Sequence, residues 1–144
     1  MSRTEVRLCH VVVYDTQDYQ MVQLEEAQGD PPRLLTMMIG INEAREISRT
    51  VQGEQLPRPL THTLFAQTIG KLGGRLEEVE IREIDMQDST YFATLRIRQG
   101  EQVHELDARP SDGIALAQKL GARIFVRDEV WAKLSELPPP MPDA

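Results

Sequence analysis

The chain has 144 residues, the size of one ordinary domain, which is long enough to bury a core without disulfides. Apolar residues make up 40% and charged residues 27% of it, a balance typical of globular proteins. The net charge of −7 argues against a nucleic-acid role, because an acidic protein repels a polyanion unless a local basic site offsets the charge.

The first half of the chain predicts three strands and then two helices. Valine-rich and alternating segments favour strands, and apolar residues at helical spacing favour the helices. Thr61 is a candidate cap of the second helix, and Gly73–Gly74 a candidate end. In chain order, the predicted elements are strands at 5–14, 19–27 and 33–40 and helices at 41–53 and 61–74.

The second half predicts three more strands, a helix, a strand and a helix. Val79 and Ile81 alternate with Glu80 and Arg82 as in a half-buried strand. The remaining elements are strands at 91–98, 103–108 and 123–126, a helix that opens at ARPSDG (108–113), and a helix at 128–137.

Strands and helices that occur in clusters predict an α+β fold. We expect a single compact domain over residues 1–137, with a mainly antiparallel or mixed sheet and about four helices, since the element pattern shows no second unit. The proline-rich residues 138–144 form a predicted C-terminal tail.

The sequence favours a cytoplasmic location. Cys9 is the one cysteine, so an internal disulfide is excluded and a reducing compartment is favoured. No apolar run reaches the ~18 residues of a membrane helix. The first residues, MSRTEVRLCHVVVYD, lack the apolar segment of a signal peptide. We therefore expect no membrane partner.

Two segments, PRPLTH (57–62) and ARPSDG (108–113), are built alike. Each has an Arg–Pro pair, a hydroxyl residue and a titratable residue before an apolar helix. A residue before proline is held on extended backbone, so Arg58 and Arg109 are expected to project near helix starts, where anions are favoured. Two such corners side by side could hold a phosphate.

Spacing alone favours a structural role for the same residues. Asp112 in the first turn would itself satisfy the helix dipole. Arg109 could pair with Asp107 or Asp112, and Ser111 and Thr61 could be plain helix caps. Both interpretations are open at the level of sequence.

The histidines do not form a metal-binding spacing with one another. His10 and His104 lie in strand patterns, typical of packed or surface histidines. His62 lies at a helix start, where a neutral imidazole is favoured and can act as a general base. Magnesium is a further option if the fold gathers carboxylate oxygens. The candidate ligands are Glu43, Asp107 and Asp112.

Four segments resemble, in order, the pattern of the bifunctional nuclease domain family over residues 5–130. They are IGINEAREI (39–47), LPRPLTHTLF (56–65), STYFATLRI (89–97) and ELDARPSDGIALAQKLGARIFVRDEV (105–130). The resemblance implies a single α+β domain that is often a homodimer, and plant members that cleave both DNA and RNA. It also implies a cluster of polar positions: Glu43, Arg58, His62, Asp107, Arg109, Ser111 and Asp112.

This chain departs from the family pattern at several positions. Thr63 stands where the family usually has an acid, which would bind metal, orient His62 or favour the helix dipole. Gly113 stands where alanine is usual, and Gln118–Lys119 where Leu–Arg is usual.

Our leading hypothesis is a nuclease, a phosphodiester hydrolase that acts on DNA and RNA with little sequence specificity. Arg58, Arg109 and Ser111 would bind the phosphate, and the arginines would stabilise transition-state charge. His62 would be the general acid or base. Asp107 and Asp112, with Glu43, would bind Mg²⁺ or position the arginines.

Two alternatives need no catalysis. The chain could be a binding or regulatory module that holds a small anionic ligand or a protein partner. The polar cluster could also be an ion-pair network that fixes the fold or a dimer interface.

Overall fold

The structure is a computed structural model that describes residues 2–14, 16 and 19–136. Its strands are β1 (Arg3–Val12), β2 (Gln20–Glu26), β3 (Leu34–Ile39), β4 (Gly74–Asp85), β5 (Thr90–Gln99), β6 (Gln102–Ala108) and β7 (Arg123–Arg127). Its helices are α1 (Ile41–Val51), α2 (Thr61–Lys71), α3 (Pro110–Leu120) and α4 (Asp128–Leu134).

The order of elements predicted from the sequence is confirmed, and so is the α+β class with a single compact domain. The end of the predicted domain at 137 and the tail 138–144 lie outside the described residues. No helix in the described part of the chain is long and apolar enough to cross a membrane.

One seven-stranded sheet, ordered β3-β2-β1-β7-β4-β5-β6, runs through the described residues. Two antiparallel meanders, β1–β3 and β4–β6, form its halves. Strand β7 joins them, since it pairs antiparallel with β1 and parallel with β4. The sheet is therefore mixed, and β6 lies at its edge.

Helix α3 lies at the centre of the helical layer. It packs against β4, β5, α1 and α2. Gly113 permits this close approach, because a Cβ at that position would lie 2.6 Å from Cγ1 of the fully buried Val79. The start of α3 is thereby fixed beside the starts of α1 and α2, where the polar residues lie.

The strand pattern placed Glu80 on the side opposite Val79, but the structure buries its carboxylate, leaving Glu80 only 4% exposed. Arg127 Nε lies 2.6 Å and Arg3 Nη1 3.1 Å from the Glu80 carboxylate oxygens. Burial raises the pKa of Glu80, but the hydrogen bonds from Arg3 and Arg127 outweigh it and hold the pKa below its ordinary value. Long arginine side chains thus cover this carboxylate. The alternation of polar and apolar residues along the strand does not predict this burial.

Helix α2 buries one face but leaves several large apolar side chains exposed. Ala66 and Ile69 are buried, whereas Leu64, Phe65 and Leu72 are between 41% and 68% exposed. Periodicity identified an apolar face, but it could not tell that α2 lies at the margin of the domain. The large side chains line a groove of about 460 Å³ beside the edge strand.

Substitution of Gly113 by alanine tests the contact between α3 and β4. We expect Gly113→Ala to lower the free energy of unfolding by about 1–2 kcal/mol, since overpacking outweighs the higher helix propensity of alanine. Gly70→Ala on α2 is the matched control. A Cβ there meets no atom within 4 Å, so that variant should gain up to about 1 kcal/mol. Urea unfolding of both variants measures this, and a neutral Gly113→Ala would contradict the contact.

Candidate active site

The start of α3 is built by the Arg–Pro pair. Arg109 is the residue before the helix, on extended backbone (φ −72°, ψ 146°), and Pro110 is its first residue, as the sequence predicted. The prediction that Ser111 and Thr61 are helix caps is wrong. Arg109 and Leu60 occupy the cap positions of α3 and α2, and neither makes a side-chain cap bond. Ser111 lies inside the first turn and is only 5% exposed.

Arg109 binds two carboxylates from two helices. Its Nε and Nη2 each donate to Asp112, at 2.9 Å, in a bidentate pair. Its Nη1 donates to Oε1 of Glu43 at 3.1 Å. Gly40 leaves room for the Glu43 carboxylate, which a Cβ at that position would strike. Of the two predicted partners of Arg109, Asp112 is confirmed and Asp107 is not.

His62 completes the group from the first turn of α2. Its Nε2 lies 2.8 Å from Oδ1 of Asp112. Both side chains are largely shielded, with His62 17% and Asp112 27% exposed. Residues 43, 62, 109 and 112, from three helices, therefore form one connected unit, the Asp112 cluster.

Asp112 is held as a carboxylate. The pKa of Asp112 falls to about 2. The hydrogen bond from His62 lowers this pKa most, burial opposes the decrease, and the Arg109 guanidinium lowers the pKa further. An ionised carboxylate can only accept, so the hydrogen between these side chains belongs to His62 Nε2. In the neutral ring, Nδ1 then carries the free lone pair.

Three residues of the Asp112 cluster, His62, Arg109 and Asp112, line a surface pocket of about 420 Å³. Phe65 and Leu106 contribute its apolar wall, and His62, Arg109 and Asp112 contribute its polar side. Arg109 remains 64% exposed despite its two partners. The cluster is therefore accessible from solvent and is not sealed within the core.

Arg58 does not join the Asp112 cluster, which corrects the expectation that both Arg–Pro corners share one pocket. It lines a separate pocket of about 420 Å³, the Arg58 pocket, together with Arg49, Thr63 and Lys119. Within the described ranges its side chain makes no hydrogen bond or ion pair. Arg58 and His62 belong to the same PRPLTH segment but line different pockets.

Asp107 lines the same pocket as His62, Arg109 and Asp112, but it is not bonded to the Asp112 cluster. Its Oδ1 accepts from Arg82 Nη2 at 2.7 Å, and its side chain is 73% exposed. The three predicted metal ligands are therefore not gathered. No group of three His, Cys, Asp or Glu side chains fit to hold a metal ion occurs among residues 2–14, 16 and 19–136. Glu43 and Asp112 do converge, but on the guanidinium of Arg109, so these carboxylates do not fit a shared Mg²⁺ site.

Thr63 belongs to a neighbouring network that the sequence did not indicate. Its Oγ1 lies 3.5 Å from Oε1 of Glu46, and His62 is oriented by Asp112 without help from position 63. Glu46 is 5% exposed and also accepts from Lys119 and Arg49. Glu43 and Glu46 are three residues apart and so share a helix face. This spacing is the sequence signal that could have revealed the Glu46 network. His10 and His104 are exposed, in keeping with the surface role allowed for them.

Acid titration tests the Asp112 contacts. The pKa of Asp112 is lowered from 3.8 to about 2, so its stabilising effect is complete above about pH 4 and is lost as the pH falls toward 2. Because the side chain is partly exposed, we expect solvent screening to limit the loss to about 1 kcal/mol. Unfolding measured from pH 5 to 2 should show this extra loss in the wild type relative to Asp112→Asn. Parallel curves for the two proteins would contradict the assignment.

Comparison of the sequence with known proteins places the chain in a family. Residues 22–137 match the Bifunctional nuclease domain. Two Mycobacterium tuberculosis proteins, from strains CDC 1551 and H37Rv and both named only as uncharacterized, are each 39% identical to the chain over 135 residues. The alignment covers 94% of this chain and 78% of each relative. The resemblance seen in the sequence is thereby confirmed, and the chain belongs to the bifunctional nuclease domain family.

Proposed function

We propose that this protein hydrolyses phosphodiester bonds of DNA and RNA with little sequence specificity. The observation that carries the proposal is the pairing of His62 with an ionised Asp112, beside Arg109 in a solvent-accessible pocket. A base oriented by a carboxylate, next to a guanidinium, is the combination that activates a nucleophile and binds an anionic centre. Membership of the family supports the same reaction class.

His62 acts as the general base in this proposal. Its Nε2–H donates to Asp112, so Nδ1 can accept a proton from water. The water oxygen forms a bond to phosphorus, and the bond from phosphorus to the leaving oxygen breaks. The electron pair stays on the leaving oxygen, which takes a proton from the imidazolium. Asp112 stabilises the imidazolium in between, as a positioning residue.

Arg109 binds the phosphate through Nη1, the guanidinium nitrogen that is bonded to Glu43. Its two bonds to Asp112 are bidentate, whereas Glu43 holds it by one bond of 3.1 Å at a 64% exposed guanidinium. A phosphate oxygen can replace Glu43 on Nη1 and leave the Asp112 pair in place. Ser111 is only 5% exposed, which argues against direct contact between its hydroxyl and the phosphate.

Two further expectations belong to this proposal. A cytoplasmic location would place the protein with nucleic acids.

A homodimer is supported by the edge strand β6, which is exposed along nearly its whole length, and by the exposed Leu64, Phe65 and Leu72 beside it. Unpaired edges and apolar patches are typical of protein interfaces.

Variants of the cluster test catalysis. We expect His62→Gln to lower cleavage of single-stranded DNA and RNA by about 10²-fold or more, because the proton acceptor is lost. Arg109→Gln should lower it by about 10²-fold through lost charge stabilisation. Arg7→Gln removes one charge from an exposed pair with Glu25 and is the control. Cleavage that persists equally in all four proteins would rule out this site.

The same assay tests metal dependence, which remains a prediction. Activity is compared with added Mg²⁺ and with EDTA in wild type and Glu43→Gln. If EDTA abolishes cleavage, a divalent cation takes part. That cation is then not held by the three predicted carboxylates together. If EDTA has no effect, Arg109 suffices as the cation.

Dimer formation has its own test. Leu106 lies on β6 and is 42% exposed, so Leu106→Glu places a charge on the proposed interface. We expect sedimentation to show a dimer for the wild type and a shift toward monomer for the variant. A monomeric wild type at tens of micromolar concentration would contradict the interface.

A further inference from the structure

We infer that the Arg58 pocket is a binding site for a phosphate monoester, separate from the Asp112 cluster. The pocket lies between α1, α3, the start of α2 and the 54–60 loop, and its volume is about 420 Å³. Ligand pockets commonly have volumes of roughly 300–1,000 Å³. This inference concerns equilibrium binding and does not depend on cleavage.

The lining of this pocket carries a surplus of positive charge. Its lining includes three cations and two carboxylates, a surplus of one positive charge in a protein whose net charge is −7. The Asp112 cluster has the opposite balance, since Arg109 faces both Glu43 and Asp112. An anionic ligand is therefore favoured at the Arg58 pocket. The charged side chains in its lining are Arg49, Arg58, Lys119, Glu46 and Glu54.

Glu46 holds two of the cations in fixed positions. Lys119 Nζ lies 2.7 Å from its Oε1 and 2.9 Å from Oγ1 of Thr50, and Arg49 Nη1 lies 3.1 Å from its Oε2. An ammonium has three donors and a guanidinium five. Lys119 thus keeps one donor and Arg49 most of its donors for a ligand.

Arg58 supplies the third cation from a stiff support. It stands between Pro57 and Pro59, which restrict the backbone of the loop that walls the pocket. Its guanidinium makes no hydrogen bond or ion pair with the described residues, so all its donors are available. Restricting a binding segment before the ligand arrives lowers the entropy lost on binding.

The donor set selects the class of ligand. A phosphate monoester carries a charge of about −1.5 to −2 at pH 7 and offers three terminal oxygens. Cations from α1, α3 and the loop can each take one oxygen. A diester offers only two such oxygens and a single charge, which matches the pocket less well. The phosphate group of a free metabolite and that of a nucleotide share this chemistry.

NMR titration of the full chain tests the assignment, with inorganic phosphate, ribose 5-phosphate and adenosine 5′-monophosphate as probes at constant ionic strength. We expect saturable shifts at residues 54–60, at Thr63 and at the Arg58 Nε–H. Similar affinity for all three probes would indicate a site for the phosphate group itself. Tighter binding of adenosine 5′-monophosphate alone would indicate a nucleotide. Either result supports the site.

Variants decide whether the pocket is responsible. Arg58→Gln and Thr63→Asp should each weaken binding by about tenfold, the first by removing a cation and the second by adding a carboxylate beside Glu46. Thr63→Asp should fold, because an acid in the first turn of a helix is favourable. Arg7→Gln is the charge-matched control and should bind as the wild type does.

Three results would overturn the inference. The probes could cause no saturable shift, the shifts could centre on Arg109 and Asp112, or Arg58→Gln could bind as tightly as the wild type. A failure of the nuclease variants to change cleavage would not bear on it, since binding is measured without turnover.

Discussion

The close packing of α3 on the sheet is the constraint on which the site depends. Gly113 lets the helix approach Val79 at a distance that a Cβ would not allow, and Asp112 is the residue directly before it. The position of the Asp112 carboxylate is therefore set by a contact in the hydrophobic core. Because α1 and α2 both pack against α3, the same contact brings Glu43 and His62 within reach.

Asp112 organises the charges around it. It binds Arg109 through two atoms and accepts from His62, so a single ionised group fixes both a guanidinium and an imidazole. Such an arrangement serves catalysis by fixing the ring nitrogen that can take a proton. It also stabilises the junction of three helices, so the proposed catalysis and the structure draw on the same contacts. The pocket and the 64% exposed guanidinium are what favour a role beyond stability.

The start of α2 separates two sites of different electrostatic character. On one side, His62 faces a cluster in which carboxylates outnumber arginine. On the other, Arg58 and Lys119 line a pocket with surplus positive charge. In a protein of net charge −7, a pocket with surplus positive charge favours an anion locally. The arginines of the two segments that look alike in sequence therefore line different pockets, and the buried Glu46 holds two of the cations of the Arg58 pocket.

The sequence alone determined the order of the elements and the fold class, because apolar periodicity and turn residues act locally. It also determined the extended backbone at Arg109, since proline restricts the residue before it. Local pattern could not decide which charges meet. The sequence offered Arg109 two candidate acidic partners, Asp107 and Asp112. In the structure Arg109 pairs with Asp112 and with Glu43, which is distant in the sequence, and Asp107 pairs with Arg82. Tertiary packing also separated Arg58 from His62 and buried Glu80 and Glu46. These outcomes depend on helices and strands that are far apart in the chain. Ion pairs form between whichever side chains the tertiary structure brings within reach, and a local sequence pattern does not contain that information.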